Sequence, residues 1–227
     1  MTRVIAGAAG GRRLAVPRGT ATRPTSDRAR EGLFAWVLSE LGSLDGKRVL
    51  DLYAGSGAVG LEALSRGASH VLLVESDARA AAVIKANIAA VGLAGAVVAA
   101  DRAERLLARP PVAPGGPAGQ AKMPDHDLSH MPFRYDLVFA DPPYAVAAAA
   151  VSRVLTLLSA GWLADDALVV VERATRSGPL DWPPGYLPGK SRRYGEATFW
   201  FGWYGGGVVA GQPPETVPRP AHAAHEE

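Results

Sequence analysis

The chain has 227 residues, 48% of them apolar and 20% charged, enough for one α/β domain with a full core and modest appendages. It contains no cysteine, which excludes disulfides and thiolate metal sites. No run reaches the roughly 18 apolar residues of a membrane span, and Met1–Gly7 offers no apolar stretch for a signal peptide, so a cytoplasmic location is expected.

The net charge of +2 is unevenly spread. In residues 1–30 seven arginines (Arg3, Arg12, Arg13, Arg18, Arg23, Arg28, Arg30) face one acid, Asp27, a local balance of +6 that leaves −4 for the rest. A basic arm on a mildly acidic body points to a polyanion; the plainer reading is a solvated terminus. Residues 1–25 are expected to be extended, with a hairpin turned at Gly10-Gly11. Thr25 or Ser26 can cap a helix reaching about Leu41, with Leu33, Phe34, Val37, Leu38 and Leu41 on one face. Arg28 and Arg30 fall in its first turn, where the helix dipole disfavours cations. That mismatch fits an anionic partner, or a salt bridge to Glu31 or Asp27.

From Lys47 onward, strands and helices alternate. Val49–Leu52, Val71–Val74, Ala96–Ala99, Tyr135–Ala140 and Leu168–Val171 read as apolar strands, and Thr198–Phe201 as a late antiparallel one. Helices are expected around Val59–Arg66, Ala78–Val91 and Val146–Leu158, with a short one over Arg102–Leu107. This order implies an α/β, doubly wound, mostly parallel sheet of Rossmann-like type, with its ligands beyond the carboxyl ends of the strands. Arg109–Pro132 and Gly205–Glu227 are rich in proline and glycine and are expected to be loop or disordered. Asp125, His126, Asp127 and His130 lie in the first of these, a setting too flexible for a metal site, and no metal is expected.

The turn after the first apolar strand reads Asp51-Leu52-Tyr53-Ala54-Gly55-Ser56-Gly57-Ala58-Val59-Gly60. Gly55, Gly57 and Gly60 match the dinucleotide fingerprint literally, with Glu75 ending the next strand. Asp51 decides against a dinucleotide, whose pyrophosphate it would repel. S-adenosylmethionine carries a sulfonium and an ammonium group instead, and an acid attracts it. On this reading Ala54, Gly55, Ser56 and Gly57 form a backbone cradle, Asp51 orients the ammonium, and Glu75 accepts the ribose hydroxyls. Asp101 meets the adenine amine or, alternatively, caps the helix that follows.

Asp141-Pro142-Pro143-Tyr144 follows the fourth strand of the alternating series. As structure alone it is a strand-ending turn. As chemistry it suits an exocyclic amine on a base, a poor nucleophile whose lone pair is delocalised. The Asp141 carboxylate and the Pro142 carbonyl can accept both amine protons, Pro143 helps to hold that carbonyl rigid, and Tyr144 offers a stacking face for an extruded base.

With these motifs the chain resembles the bacterial 16S ribosomal RNA guanine-N2 methyltransferase family. The matching pieces are Arg12-Arg13-Leu14, Arg23–Phe34, Leu50–Gly67, Val74–Asp77 and the Asp141 tetrapeptide, over most of residues 1–204. The resemblance implies a class I methyltransferase domain over residues 42–204, preceded at 1–41 by a basic hairpin and helix that contact RNA. Its cofactor would be S-adenosylmethionine, and its target a guanine of 16S rRNA in a partly assembled small subunit, met by a monomer. Arg12, Arg13, Arg23, Thr25, Arg28, Arg30, Lys190, Arg192 and Arg193 are the candidate RNA contacts. The chain departs from the family pattern at the 109–132 insertion and in the tail 205–227. Rival readings are an adenine-N6 methyltransferase on DNA or RNA, a catalytically idle RNA-binding assembly factor, and a dehydrogenase. The intact motifs disfavour the last two.

Overall fold

The computed structural model describes residues 2–17, 27–109 and 134–205. The expected capping residues Thr25 and Ser26, together with Arg18 and Arg23, lie outside these, as does the insertion beyond Arg109 and the tail beyond Gly205. Two short strands, β1 (Thr2–Arg3) and β2 (Arg13–Leu14), form an antiparallel hairpin. Helix α1 (Asp27–Leu41) follows. The alternating region then runs β3 (Arg48–Leu52), α2 (Ala58–Ser65), β4 (His70–Val74), α3 (Ala78–Val91), β5 (Ala96–Ala99), α4 (Ala103–Leu107), β6 (Tyr135–Ala140) and α5 (Ala148–Ser159). It ends with β7 (Leu163–Ala174), β8 (Tyr186–Tyr194) and β9 (Ala197–Tyr204).

Seven of these strands make one sheet in the order β5-β4-β3-β6-β7-β9-β8. The pairs from β5 to β7 are parallel, and β9 runs antiparallel between β7 and β8. Alternation along the strands builds two cores, because successive side chains point to opposite faces. Leu50, Leu72, Val138 and Val169 join the α4–α5 side. Val49, Val71, Leu137, Leu168 and Val170 meet Leu33, Phe34, Val37 and Ile84 of α1 and α3 on the other. The strand order reverses between β3 and β6, the crevice where such sheets place ligands.

Three departures from the sequence reading have physical causes. Strand β7 extends well beyond Leu168–Val171, because a register shift opposite Tyr135–Leu137 absorbs the polar Asp165-Asp166, with Asp166 at φ 60°. Strand β8 was not expected; its Pro188 and Gly189 and its charged residues obscure it. As the sheet edge it tolerates them, since a proline there need not donate to a neighbour. The hairpin is no loose arm. Buried Glu62 of α2 accepts the amides of Ile5 (2.6 Å) and Ala6 (3.0 Å) and the Arg66 Nε (2.7 Å). Ser65 Oγ accepts the Ala9 amide and donates to the Ala6 carbonyl. Val4, Ala9 and Leu14 pack on Leu61 and Val91.

Glu62 is fully buried, and removing it strands two backbone amides and the Arg66 charge. Glu62→Ala is expected to lower folding stability by about 3 kcal/mol, the scale of a broken buried pair. Urea unfolding measures it, and an unchanged midpoint would show that the hairpin is not anchored there.

Candidate active site

The carboxyl end of β3 carries Asp51, 4% exposed. Its Oδ2 accepts the Gly60 amide at 2.8 Å, in the first turn of α2, whose N-cap Gly57 supplies no side chain. Burial is the largest influence on this carboxyl and the Glu75 charge adds to it; against the opposing Gly60 hydrogen bond they push its pKa up to about 7. The chain then turns through three left-handed residues, Tyr53 (φ 61°), Gly55 (φ 57°) and Gly57 (φ 77°). Gly55 opens to free space, whereas a Cβ on Gly57 would press on Leu73 and Ile84. Tyr53 holds its strained position with its hydroxyl donated to Glu104 at 3.0 Å.

Glu75, at the end of β4, faces the same turn. One carboxylate oxygen accepts the Gly55 amide (2.9 Å) and the other the Asp77 amide (2.8 Å). It therefore shapes the glycine turn, and a carboxylate keeps further acceptor capacity on each oxygen. Asp101 accepts the Arg102 amide and pairs with Arg105 and Arg109. The helix it was expected to cap begins at Ala103 with Arg102 as N-cap.

Across the switch point, β6 delivers Asp141. Its amide donates to the Leu52 carbonyl at 3.3 Å, extending the β3–β6 pairing, and the Pro143 carbonyl accepts the Val146 amide at 2.8 Å. Among the described residues, no backbone hydrogen bond claims the Pro142 carbonyl. Tyr144 is 47% exposed. The sequence reading missed Glu172, 7% exposed, next to Asp141 because Ala140 pairs with Val171. An acid closing the apolar run Val169-Val170-Val171 was the available signal. Desolvation, then the charges of Glu172 and Asp51, raise the Asp141 pKa well above its ordinary value of 3.8. The residue as a whole lies at the surface.

Among the basic candidates, two are committed elsewhere. Arg30 is 1% exposed and donates to Thr2 Oγ1, the Arg3 carbonyl and Asp27. The salt bridge to Asp27 explains its place in the first turn, and its guanidinium is enclosed away from solvent. Arg12 donates to the Ala90 and Val91 carbonyls, satisfying the last turn of α3. Arg13 and Arg28 are exposed, as are Lys190, Arg192 and Arg193 on β8. Arg23 and Thr25 lie outside the described residues.

The parallel sheet with one antiparallel insertion, the acid-ended β3 and its glycine turn define a class I methyltransferase fold. The chain belongs to the family described as Conserved hypothetical protein 95, which matches residues 2–114 and 122–203. It is similar to the Ribosomal RNA small subunit methyltransferase D of Escherichia coli (strain K12), 35% identical over 185 residues, 79% of this chain and 80% of that one. The protein of the same name from Haemophilus influenzae is 31% identical over 199 residues, 87% of this chain and 91% of that one. Among solved structures, the Escherichia coli protein yhhF, named as a methyltransferase, superposes with a TM-score of 0.72 at 29% identity, covering 90% of this chain and 98% of that one.

Asp51 also sets a pH dependence. Its folded pKa, about 7, stands above the ordinary 3.8, so it favours the folded state below about pH 4 and that contribution is lost as pH rises through 7. Asp51→Asn retains an acceptor for Gly60 without the charge. Between pH 5 and pH 8 the variant's unfolding free energy is expected to fall by about 2–4 kcal/mol less than the wild type's. Equal pH slopes in urea titrations would contradict the raised pKa.

Proposed function

We propose that the chain transfers a methyl group from S-adenosylmethionine to the exocyclic N2 amine of a guanine in 16S rRNA, on partly assembled small ribosomal subunits and as a monomer. One observation carries the reading: Asp141-Pro142-Pro143-Tyr144 stands beside the glycine turn at the switch point, with Asp141 at the surface, a Pro142 carbonyl that no backbone hydrogen bond takes among the described residues, and an exposed ring. The names of the Escherichia coli and Haemophilus influenzae relatives, both small-subunit rRNA methyltransferases, support the RNA substrate.

The donor set fits this cofactor. Asp51, Glu75, Asp141 and Glu172 gather at the carboxyl ends of β3, β4, β6 and β7, a field that attracts a sulfonium and an ammonium. A phosphate laid on the turn would meet Asp51. Like charges about 4 Å apart repel by about 4 kcal/mol near a protein surface, more than the roughly 0.3–1 kcal/mol a helix N-terminus returns. Asp51 and the turn 54–57 would hold the methionine portion, Glu75 the ribose and Asp101 the adenine. When bound, S-adenosylmethionine supplies an electrophilic methyl group on its sulfonium.

The protein's residues prepare the nucleophile. The Asp141 carboxyl oxygen and the Pro142 carbonyl accept the two amine protons, fixing the nitrogen and moving electron density onto it. Desolvation, with the charges of Glu172 and Asp51, raises the basicity of Asp141, strengthening its bond to an amine that grows more acidic as its lone pair engages. Tyr144 stacks on the extruded base, and Arg13, Arg28, Lys190, Arg192 and Arg193 meet phosphates.

Interactions stronger in the transition state than in the ground state reduce the rate when removed. Asp141→Ala is expected to slow single-turnover methylation of unmodified small subunits by about 10²–10³ with cofactor affinity little changed. Asp141→Asn retains partial activity through its remaining acceptor. A wild-type rate in Asp141→Ala would reduce the tetrapeptide to a turn.

A further inference from the structure

Asn87 of α3 is 2% exposed and has no part in the chemistry above. Its Oδ1 accepts the Ala15 amide at 2.8 Å. Its Nδ2 donates to the Ala15 carbonyl at 3.0 Å and to the Ser56 carbonyl at 2.8 Å. One carboxamide thus ties two separate segments together. Ala15 directly follows β2 of the hairpin, and Ser56 sits between Gly55 and Gly57 in the glycine turn.

The Ser56 peptide is where such a tie has most to fix. Both flanking glycines have positive φ, and glycine restricts the backbone least. With both amide protons and its oxygen engaged, Asn87 is locked in orientation. Two of its three hydrogen bonds are to Ala15, leaving the third for the turn.

We propose that Asn87 is a positioning residue through which the N-terminal hairpin holds the cofactor turn in its binding shape, so that the two segments are ordered together. This rests on the S-adenosylmethionine reading of the turn. A polyanion that stabilises the hairpin in this shape then raises cofactor affinity, and the cofactor favours the polyanion by the same factor.

Calorimetric titration of the full-length chain with S-adenosylmethionine tests this. Asn87→Ala is expected to weaken binding about tenfold, the scale of losing a buried hydrogen bond. Ala15→Pro removes a donor on the far side of Asn87 and touches no residue of the turn. It is expected to weaken binding in the same direction, and the double variant no further than Asn87→Ala alone, because both act through one contact. Val154→Ala, in the core of the opposite sheet face, should lower the melting temperature and leave cofactor affinity intact, which separates the tie from general loss of stability. Wild-type affinity in Ala15→Pro, or additive losses in the double variant, would overturn the proposal. A wild-type chain that binds no S-adenosylmethionine would overturn the cofactor reading itself, and the tie's role with it.

Discussion

The Asp51 carboxylate, shut away from bulk water at the end of β3, keeps one hydrogen bond that organises everything around it. The Gly60 amide reaches it at 2.8 Å, and this approach needs a residue without a side chain. A Cβ on Gly60 would lie 2.8 Å from Val71, 2.9 Å from Leu73 and 3.0 Å from Asp51 itself. The bond therefore presses the start of α2 onto β3 and β4 and fixes the glycine turn between them. Burial at this position pushes the carboxyl pKa up to about 7, and a cation set against it would favour the ionised form.

The hairpin shows how charge counted along a sequence is divided between structure and function. Of the seven arginines in residues 1–30, Arg30 holds the hairpin to α1 and Arg12 completes the end of α3. Their positive charge is consumed by carbonyls and by Asp27. Arg13 and Arg28 remain at the surface, and β8 adds Lys190, Arg192 and Arg193 from a distant part of the chain. The basic surface is consequently split between the hairpin side and the sheet edge, with the acidic crevice at the carboxyl ends of the strands. A phosphate backbone would be attracted to its flanks and repelled from its centre, while an extruded neutral base is not.

Periodic apolar runs made most of the sheet legible. Ala96–Ala99, Tyr135–Ala140 and the helix Ala78–Val91 occupy the expected residues. Strand β8 escaped because an edge strand is held on one side only and can carry Pro188, Gly189 and a charged face without loss. The glycine turn was legible because its left-handed positions favour glycine, and the tetrapeptide because paired prolines end a strand. Glu172, Glu62 and Asn87 were not, since each acts on segments remote in sequence: Glu172 on β6, Glu62 on Ile5 and Ala6, Asn87 on Ala15 and Ser56. No spacing rule reaches across 31 to 72 residues.

On the proposed reading, acidity at the carboxyl ends of β3, β4, β6 and β7 serves two ends at once, attraction of a cationic methyl donor and acceptance of amine protons. The most direct measurement is to incubate the full chain with labelled S-adenosylmethionine and small subunits lacking the modification, digest the 16S rRNA to nucleosides, and identify the labelled product. The account predicts N2-methylguanosine from a single position, and N6-methyladenosine, or no transfer to RNA at all, would contradict it.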